Sequence, residues 1–142
     1  MICYAVVDTN VLVSALLSPH ENAATVRVVR KMLSGEIIPV YSGAIVKEYR
    51  DVLNRKKFGF STAVVTAFLS AIERSGVLLE PVETGFVLPD RKDLPFYEVV
   101  LEKRKTCDNT YLVTGNGKHF PAEPFIVTPK ELLDILSFHS SD

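Results

Sequence analysis

The sequence predicts an α/β fold, with a central, mostly parallel sheet of about five strands covered by helices on both faces, so that three layers form an α/β/α sandwich. Two observations carry this. Short apolar runs rich in β-formers recur at 2–7, 37–41, 77–81, 111–114 and 125–127, without the polar alternation of a half-exposed strand. Between most of them lie longer stretches with apolar residues at helical spacing, and parallel neighbours need such crossovers.

Residues 2–7, Ile-Cys-Tyr-Ala-Val-Val, form the first strand, and Asp8 stands at its end. Asp8-Thr9-Asn10 supplies cap residues for a helix through Val11–Leu17, closed by Ser18-Pro19. The stretch 21–34 carries Ala24, Val28, Val29, Met32 and Leu33 at helical spacing and stops at Gly35. Ile37–Tyr41 is the second strand. Ser42 caps a helix whose Ile45, Val46, Tyr49, Val52 and Leu53 make one apolar stripe, and at about 100° per residue Glu48 falls at its edge.

Ser61 opens a fourth helix that runs to Gly76, and Val77–Pro81 is a third strand. Residues 82–92 hold Gly, Pro and charges without a period, as a loop does. Asp93 begins a helix through Arg104, with Pro95 in the first turn, where proline is tolerated. Tyr111–Thr114 is a fourth strand, followed by the turn Gly115-Asn116-Gly117, and Phe125–Val127 is a fifth. Thr128-Pro129-Lys130-Glu131 has the form of a capping box that opens the last helix.

A chain of 142 residues, 47% hydrophobic, suits one domain spanning 1–142. The formal charge of −1 means that any nucleic-acid contact needs a local basic surface. Arg55-Lys56-Lys57 and Lys118 are candidates, as is Lys103-Arg104-Lys105, although a helix C-terminus favours cations on its own account. Cys3 and Cys107 are too few for a disulfide framework and lack the spacing of a zinc site, so they read as reduced thiols. No signal-peptide pattern and no apolar run of membrane-spanning length is visible, which points to a cytoplasmic protein without a membrane partner.

In an open parallel sheet, ligands gather outside the carboxyl ends of the strands. Asp8 lies at such an end, and Asn116 follows 111–114 onto the same rim. Glu48 and Asp93 belong to helices that follow strands, so carboxylates far apart in sequence can converge on one cleft. Such groups repel one another unless a cation neutralises them, and an all-oxygen donor set suits Mg²⁺ or Mn²⁺.

Each residue also has a plainer reading. Asp8 and Asp93 are good helix caps, and a lone Glu is usually solvated. Asp90 is the alternative to Asp93. Thr9 and Thr114 could position a ligand or bond their local backbone. Asp108 precedes the fourth strand, at the wrong end for the cleft, and His119 has no visible partner and receives no catalytic role. An acidic strand end also serves phosphatases, but the chain lacks both G-x-x-x-x-G-K-[ST] and G-x-G-x-x-G, which argues against nucleotide binding.

The stretch from Val6 to Ala15, with Asp8-Thr9-Asn10, resembles the opening motif of PIN-domain proteins. Ser42–Leu53 around Glu48 is similar to their second acidic motif, Leu88–Glu98 around Asp93 to the third, and Tyr111–Asn116 to the fourth. The likeness follows in order along nearly the whole chain and is close to the branch of toxin components of toxin–antitoxin pairs. It implies a PIN α/β/α sandwich and Mg²⁺- or Mn²⁺-dependent endonucleolytic cleavage of RNA. It further implies Asp8, Glu48 and Asp93 as catalytic metal ligands, with Asn116 in the fourth motif; Thr9, Asn10, Asp90 and Thr114 are secondary candidates beside them. The implied partners are a small antitoxin and a second copy in a homodimer. Where many PIN nucleases carry aspartate, this chain has Asn116, whose carbonyl oxygen adds no negative charge. The competing expectation is therefore a catalytically weak PIN domain that binds RNA or protein.

Overall fold

The computed structural model describes residues 2–140, with side chains through Phe138. Strand β1 (Cys3–Val7) leads to helices α1 (Thr9–Leu17) and α2 (Ala24–Ser34), then to β2 (Ile37–Tyr41), α3 (Gly43–Leu53), α4 (Thr62–Ser75) and β3 (Val77–Leu78). After a long loop come α5 (Leu94–Arg104), β4 (Thr110–Val113), β5 (Ile126–Val127) and α6 (Pro129–Ser140). Single 3₁₀ turns occur at Lys56–Phe58, Arg91–Asp93 and Gly117–His119.

The strands hydrogen-bond in the order β3-β2-β1-β4-β5, and each neighbouring pair is parallel. Ala5, Val6 and Val7 of β1 are all buried, and successive strand residues face opposite sides, so both sheet faces must be covered. Helix α5 lies across β1, β2 and β4, whereas α2 and α6 pack on each other and on β2, β4 and β5. This is the predicted three-layer arrangement. The order reverses between β1 and β4, because the chain moves outward one way through β2 and β3 before returning to the other side of β1.

Local chemistry accounts for the element ends. Gly35 closes α2 with φ 88°, in the left-handed region. The box at the start of α6 is reciprocal: Glu131 N–H donates to Thr128 Oγ1 at 3.1 Å and Thr128 N–H to Glu131 Oε1 at 2.9 Å. Gly76, between α4 and β3, is required by close approach, since a Cβ there would lie 2.4 Å from the Pro39 carbonyl oxygen.

Several boundaries differ from expectation: β1 starts at Cys3, α1 at Thr9 and α5 at Leu94, and β4 is shifted back by one residue to Thr110–Val113. Helix α2 starts at Ala24 and not near residue 21, where residue 23 is an alanine that offers no side-chain cap. Strand β3 ends at Leu78, because Leu79 makes one more bond to the Tyr41 carbonyl and Glu80 then turns to accept the Gly43 N–H at 2.8 Å. Strand β5 is Ile126–Val127, one residue shorter than predicted. Cys3 and Cys107 are free thiols, and burial pushes Cys3 up to about 11. Among the described residues no helix is long and apolar enough to cross a membrane.

Candidate functional site

Val7 pairs with Val113 in parallel register, so Asp8 and Thr114 leave the sheet side by side at the carboxyl ends of β1 and β4. The Thr114 hydroxyl donates to Asp8 Oδ2 at 2.8 Å, and its oxygen accepts the Asn116 N–H at 3.0 Å. Asp8 Oδ1 accepts the Asn10 N–H at 3.3 Å, as the N-cap of α1. The cap role and the site role therefore coincide in one carboxylate, buried and held through both oxygens.

Glu48 reaches the same rim from α3. Ser42 caps that helix through the Ile45 N–H at 3.2 Å, and Ile45, Val46, Tyr49 and Leu53 bury its apolar face. Glu48 is half-buried at the border of that face and accepts a hydrogen bond from the Thr9 hydroxyl through Oε2. Its neighbour Tyr49 donates to the Val7 carbonyl at 2.5 Å and sets its ring against Phe96 of α5, with centroids 6.2 Å apart.

Asp93 is delivered by the turn before α5. There the expected capping role falls to Asp90, whose Oδ1 accepts the Lys92 N–H at 2.9 Å and whose carbonyl accepts the Asp93 N–H at 3.1 Å. Asp93 occupies the N-cap position of α5 without making a side-chain cap bond. Its Oδ2 is buried without a hydrogen-bond partner among the described residues, while His119 Nδ1 lies 3.7 Å away. His119 thus has the partner that the sequence did not reveal.

Asp8, Thr9, Asn10, Glu48, Asp90 and Asp93 line one cleft of about 400 Å³ together with Ala44, Lys47, Asp51, Val52, Arg55 and Lys92. Burial, then the charges of Asp8 and Asp90, push Asp93 up to about 6 against the opposing pull of His119. Burial also raises Glu48, offset by the Thr9 hydrogen bond and by Lys92 and reinforced by Asp8 and Asp90.

These residues fit a hard divalent cation. The donors are all oxygen, one buried carboxylate oxygen has no hydrogen-bond partner among the described residues, and burial, reinforced by neighbouring carboxylates, lifts two of the three acids. Among the described residues no three His, Cys, Asp or Glu side chains are gathered closely enough to form a ready-made ligand cluster. Asp8 and Glu48 are each engaged by threonine hydroxyls, so the acids share a cleft without a preassembled shell.

Of the other candidates, Arg55 lines the cleft, whereas Lys56, Lys57 and Lys118 do not. Thr114 lies behind Asp8, and Asn116 is half-buried and not part of the lining. Sequence reasoning missed Lys47 and Lys92. Their signal was adjacency: each directly precedes an acidic member of the site. Lys103 and Arg104 serve packing, over the rings of Tyr4 and Phe125 at 4.3 and 4.5 Å. Arg104 also donates to the carbonyls of Asp108 and Thr110, which makes Asp108 the turn residue it was expected to be.

The chain matches the family model of the PIN domain over residues 4–118. No curated protein and no solved structure matches it. The matched region contains β1 from its second residue through β4 and every carboxylate of the cleft, and the chain therefore belongs to the PIN-domain family, whose members are generally nucleases.

Proposed function

We propose that this chain is a Mg²⁺- or Mn²⁺-dependent endoribonuclease that hydrolyses RNA phosphodiester bonds, and that it is the toxin of a type II toxin–antitoxin pair. The observation that carries the hydrolytic reading is the convergence of Asp8, Glu48 and Asp93 on one cleft, with Asp93 Oδ2 buried and without a hydrogen-bond partner among the described residues. These three residues would hold the cation, which when bound lowers the pKa of a water and neutralises charge on the phosphodiester. Thr114 and the Asn10 N–H orient Asp8, and Thr9 orients Glu48. Lys47, Arg55 and Lys92 offer cations to phosphate oxygens in the same cleft.

RNA as substrate and the toxin role rest on the likeness of residues 6–15, 42–53, 88–98 and 111–116 to PIN-type toxins. The reading includes a cytoplasmic homodimer and a small antitoxin protein that covers the cleft. The test is incubation of purified protein with a labelled single-stranded RNA and, in parallel, a phosphomonoester, with Mn²⁺, Mg²⁺ or EDTA. Cleavage of RNA alone, lost with EDTA and in Asp8→Asn, is the expected result. Equal products from wild type and Asp8→Asn, or none at all, would remove the reading.

Asn116 favours a second reading, a PIN module that binds RNA or protein with weak catalysis. Its neutral side chain is outside the cleft lining and supplies no fourth charge. A large gain of cleavage in Asn116→Asp would favour that reading for the natural chain.

A further inference from the structure

The cleft does not stop at the acids. Ala44, Glu48, Val52 and Arg55 recur at spacings of three or four residues, so the cleft follows one face of α3 to its C-terminal end. There Lys56–Phe58 forms a 3₁₀ turn, and Gly59 at φ 72° reverses the chain, a conformation that favours glycine. The reversal brings Phe60 back beside Phe58, with ring planes 20° apart and centroids 5.9 Å apart. The Lys57 ammonium stands 5.1 Å from the Phe58 centroid. Both rings pack on the core yet stay half-exposed. Arg55, Lys56 and Lys57 form no ion pair among the described residues.

We infer that Arg55, which lines the cleft, and the adjoining Lys57, Phe58 and Phe60 form a base-stacking subsite for single-stranded nucleic acid next to the cleft. Closing a satellite of the core requires only apolar bulk. A near-parallel aromatic pair bordered by cations that form no ion pair among the described residues offers more: a face on which any base can stack and charge for the backbone that carries it. A duplex keeps its bases stacked on one another, so the subsite selects unpaired strands. From Glu48 to Leu53, the last residue of α3, the helix rises roughly 8 Å at 1.5 Å per residue. A stacked strand advances roughly 3.4 Å per nucleotide, so a base held beyond the end of α3 lies at least about two nucleotides from the acidic centre. That position relative to a cut rests on the nuclease reading; the binding does not.

The experiment is fluorescence anisotropy with a labelled single-stranded RNA octamer and a dinucleotide, in EDTA so that nothing is cut, on wild type, Phe58→Leu, Phe60→Leu and Lys57→Gln. Leucine keeps apolar bulk and removes the stacking face. The expected result is octamer binding weakened about tenfold in each Leu variant, the loss of a stacked base, with a smaller change for the dinucleotide. Lys57→Gln, at an exposed position, lowers the dependence of octamer binding on salt and keeps the test open should a Leu variant fail to fold. Wild-type affinity in folded Leu variants, or an unchanged salt slope in Lys57→Gln, overturns the subsite. An octamer that binds through the aromatic pair but is never cleaved with Mn²⁺ sinks the nuclease reading and leaves the subsite standing. Cleavage with no effect of the Leu variants does the reverse.

Discussion

The Tyr49 hydroxyl donates to the Val7 carbonyl at 2.5 Å, joining the residue after Glu48 to the residue before Asp8. Two acids from different elements are thereby held by one buried phenol, whose ring also rests on Phe96 in the helix that follows Asp93. Burial raises the ionisation of this tyrosine further still, so it remains a donor. Tyr49→Phe keeps the ring and removes the bond. The expected cost is about 1–2 kcal/mol in denaturant unfolding. Mn²⁺ affinity by calorimetry should fall several-fold as Asp8 and Glu48 lose their common anchor.

The pH dependence of the metal-free protein follows from Asp93. Its carboxyl stands at about 6 in the folded chain against an ordinary 3.8, so the folded state takes up this proton first as pH falls. Stability from this group is lowest above about pH 6 and rises as pH is lowered toward 4. Glu48 shifts in the same direction. In EDTA, Tm should therefore carry a component that increases from pH 7.5 to pH 5. Asp93→Asn should flatten that component and raise Tm at pH 7.5. A thermal melt series across this range is the measurement, and an unchanged profile in Asp93→Asn refutes the assignment.

Added divalent cation should act most strongly where the acids are charged. Mn²⁺ is expected to raise Tm more at pH 7.5 than at pH 5, and removing it by chelation should return the metal-free curve. Equal shifts at both pH values would place the ion elsewhere.

Thr114→Val is nearly isosteric but strips Asp8 Oδ2 and the Asn116 N–H of their shared partner. The expected loss is about 1–3 kcal/mol, because a buried carboxylate oxygen is left without its donor. Thr114→Ser, which retains a hydroxyl, should recover much of it. Chemical denaturation of the two variants separates the hydroxyl from the methyl.

Gly76→Ala tests the seam between α4 and β2. The backbone there, at φ −110°, is open to any residue, but the new methyl would meet the carbonyl oxygens of Pro39 and Ile72 at 2.4 and 2.9 Å. A destabilisation of about 1–3 kcal/mol is expected from overpacking. Gly35→Ala meets nothing within 4 Å, and its cost comes from φ 88° instead.

The strands and helices were legible because burial on both faces and helical caps are written locally, as at Ser42, Gly35 and the Thr128–Glu131 box. Asp8 was legible for the same reason, as the residue that ends a buried strand. The division of labour between Asp90 and Asp93 was not, since either can cap and only the 3₁₀ turn decides which one does. His119 was given no role because its neighbour Asp93 is distant in sequence. Lys103 and Lys57 look alike in sequence, yet one covers Tyr4 and the other Phe58 beside the cleft. Charge runs do not state which aromatic they will meet.

The contact between Asp8 and Thr114 has a temporal meaning as well. It spans 106 positions, so it forms only after β4 has been synthesised and inserted beside β1. A growing chain that has released β1, α3 and even Asp93 from the ribosome still lacks the strand that seats Asp8. The seat of Asp8 is therefore complete only once β4 stands beside β1, and a fragment truncated before residue 110 should lack it.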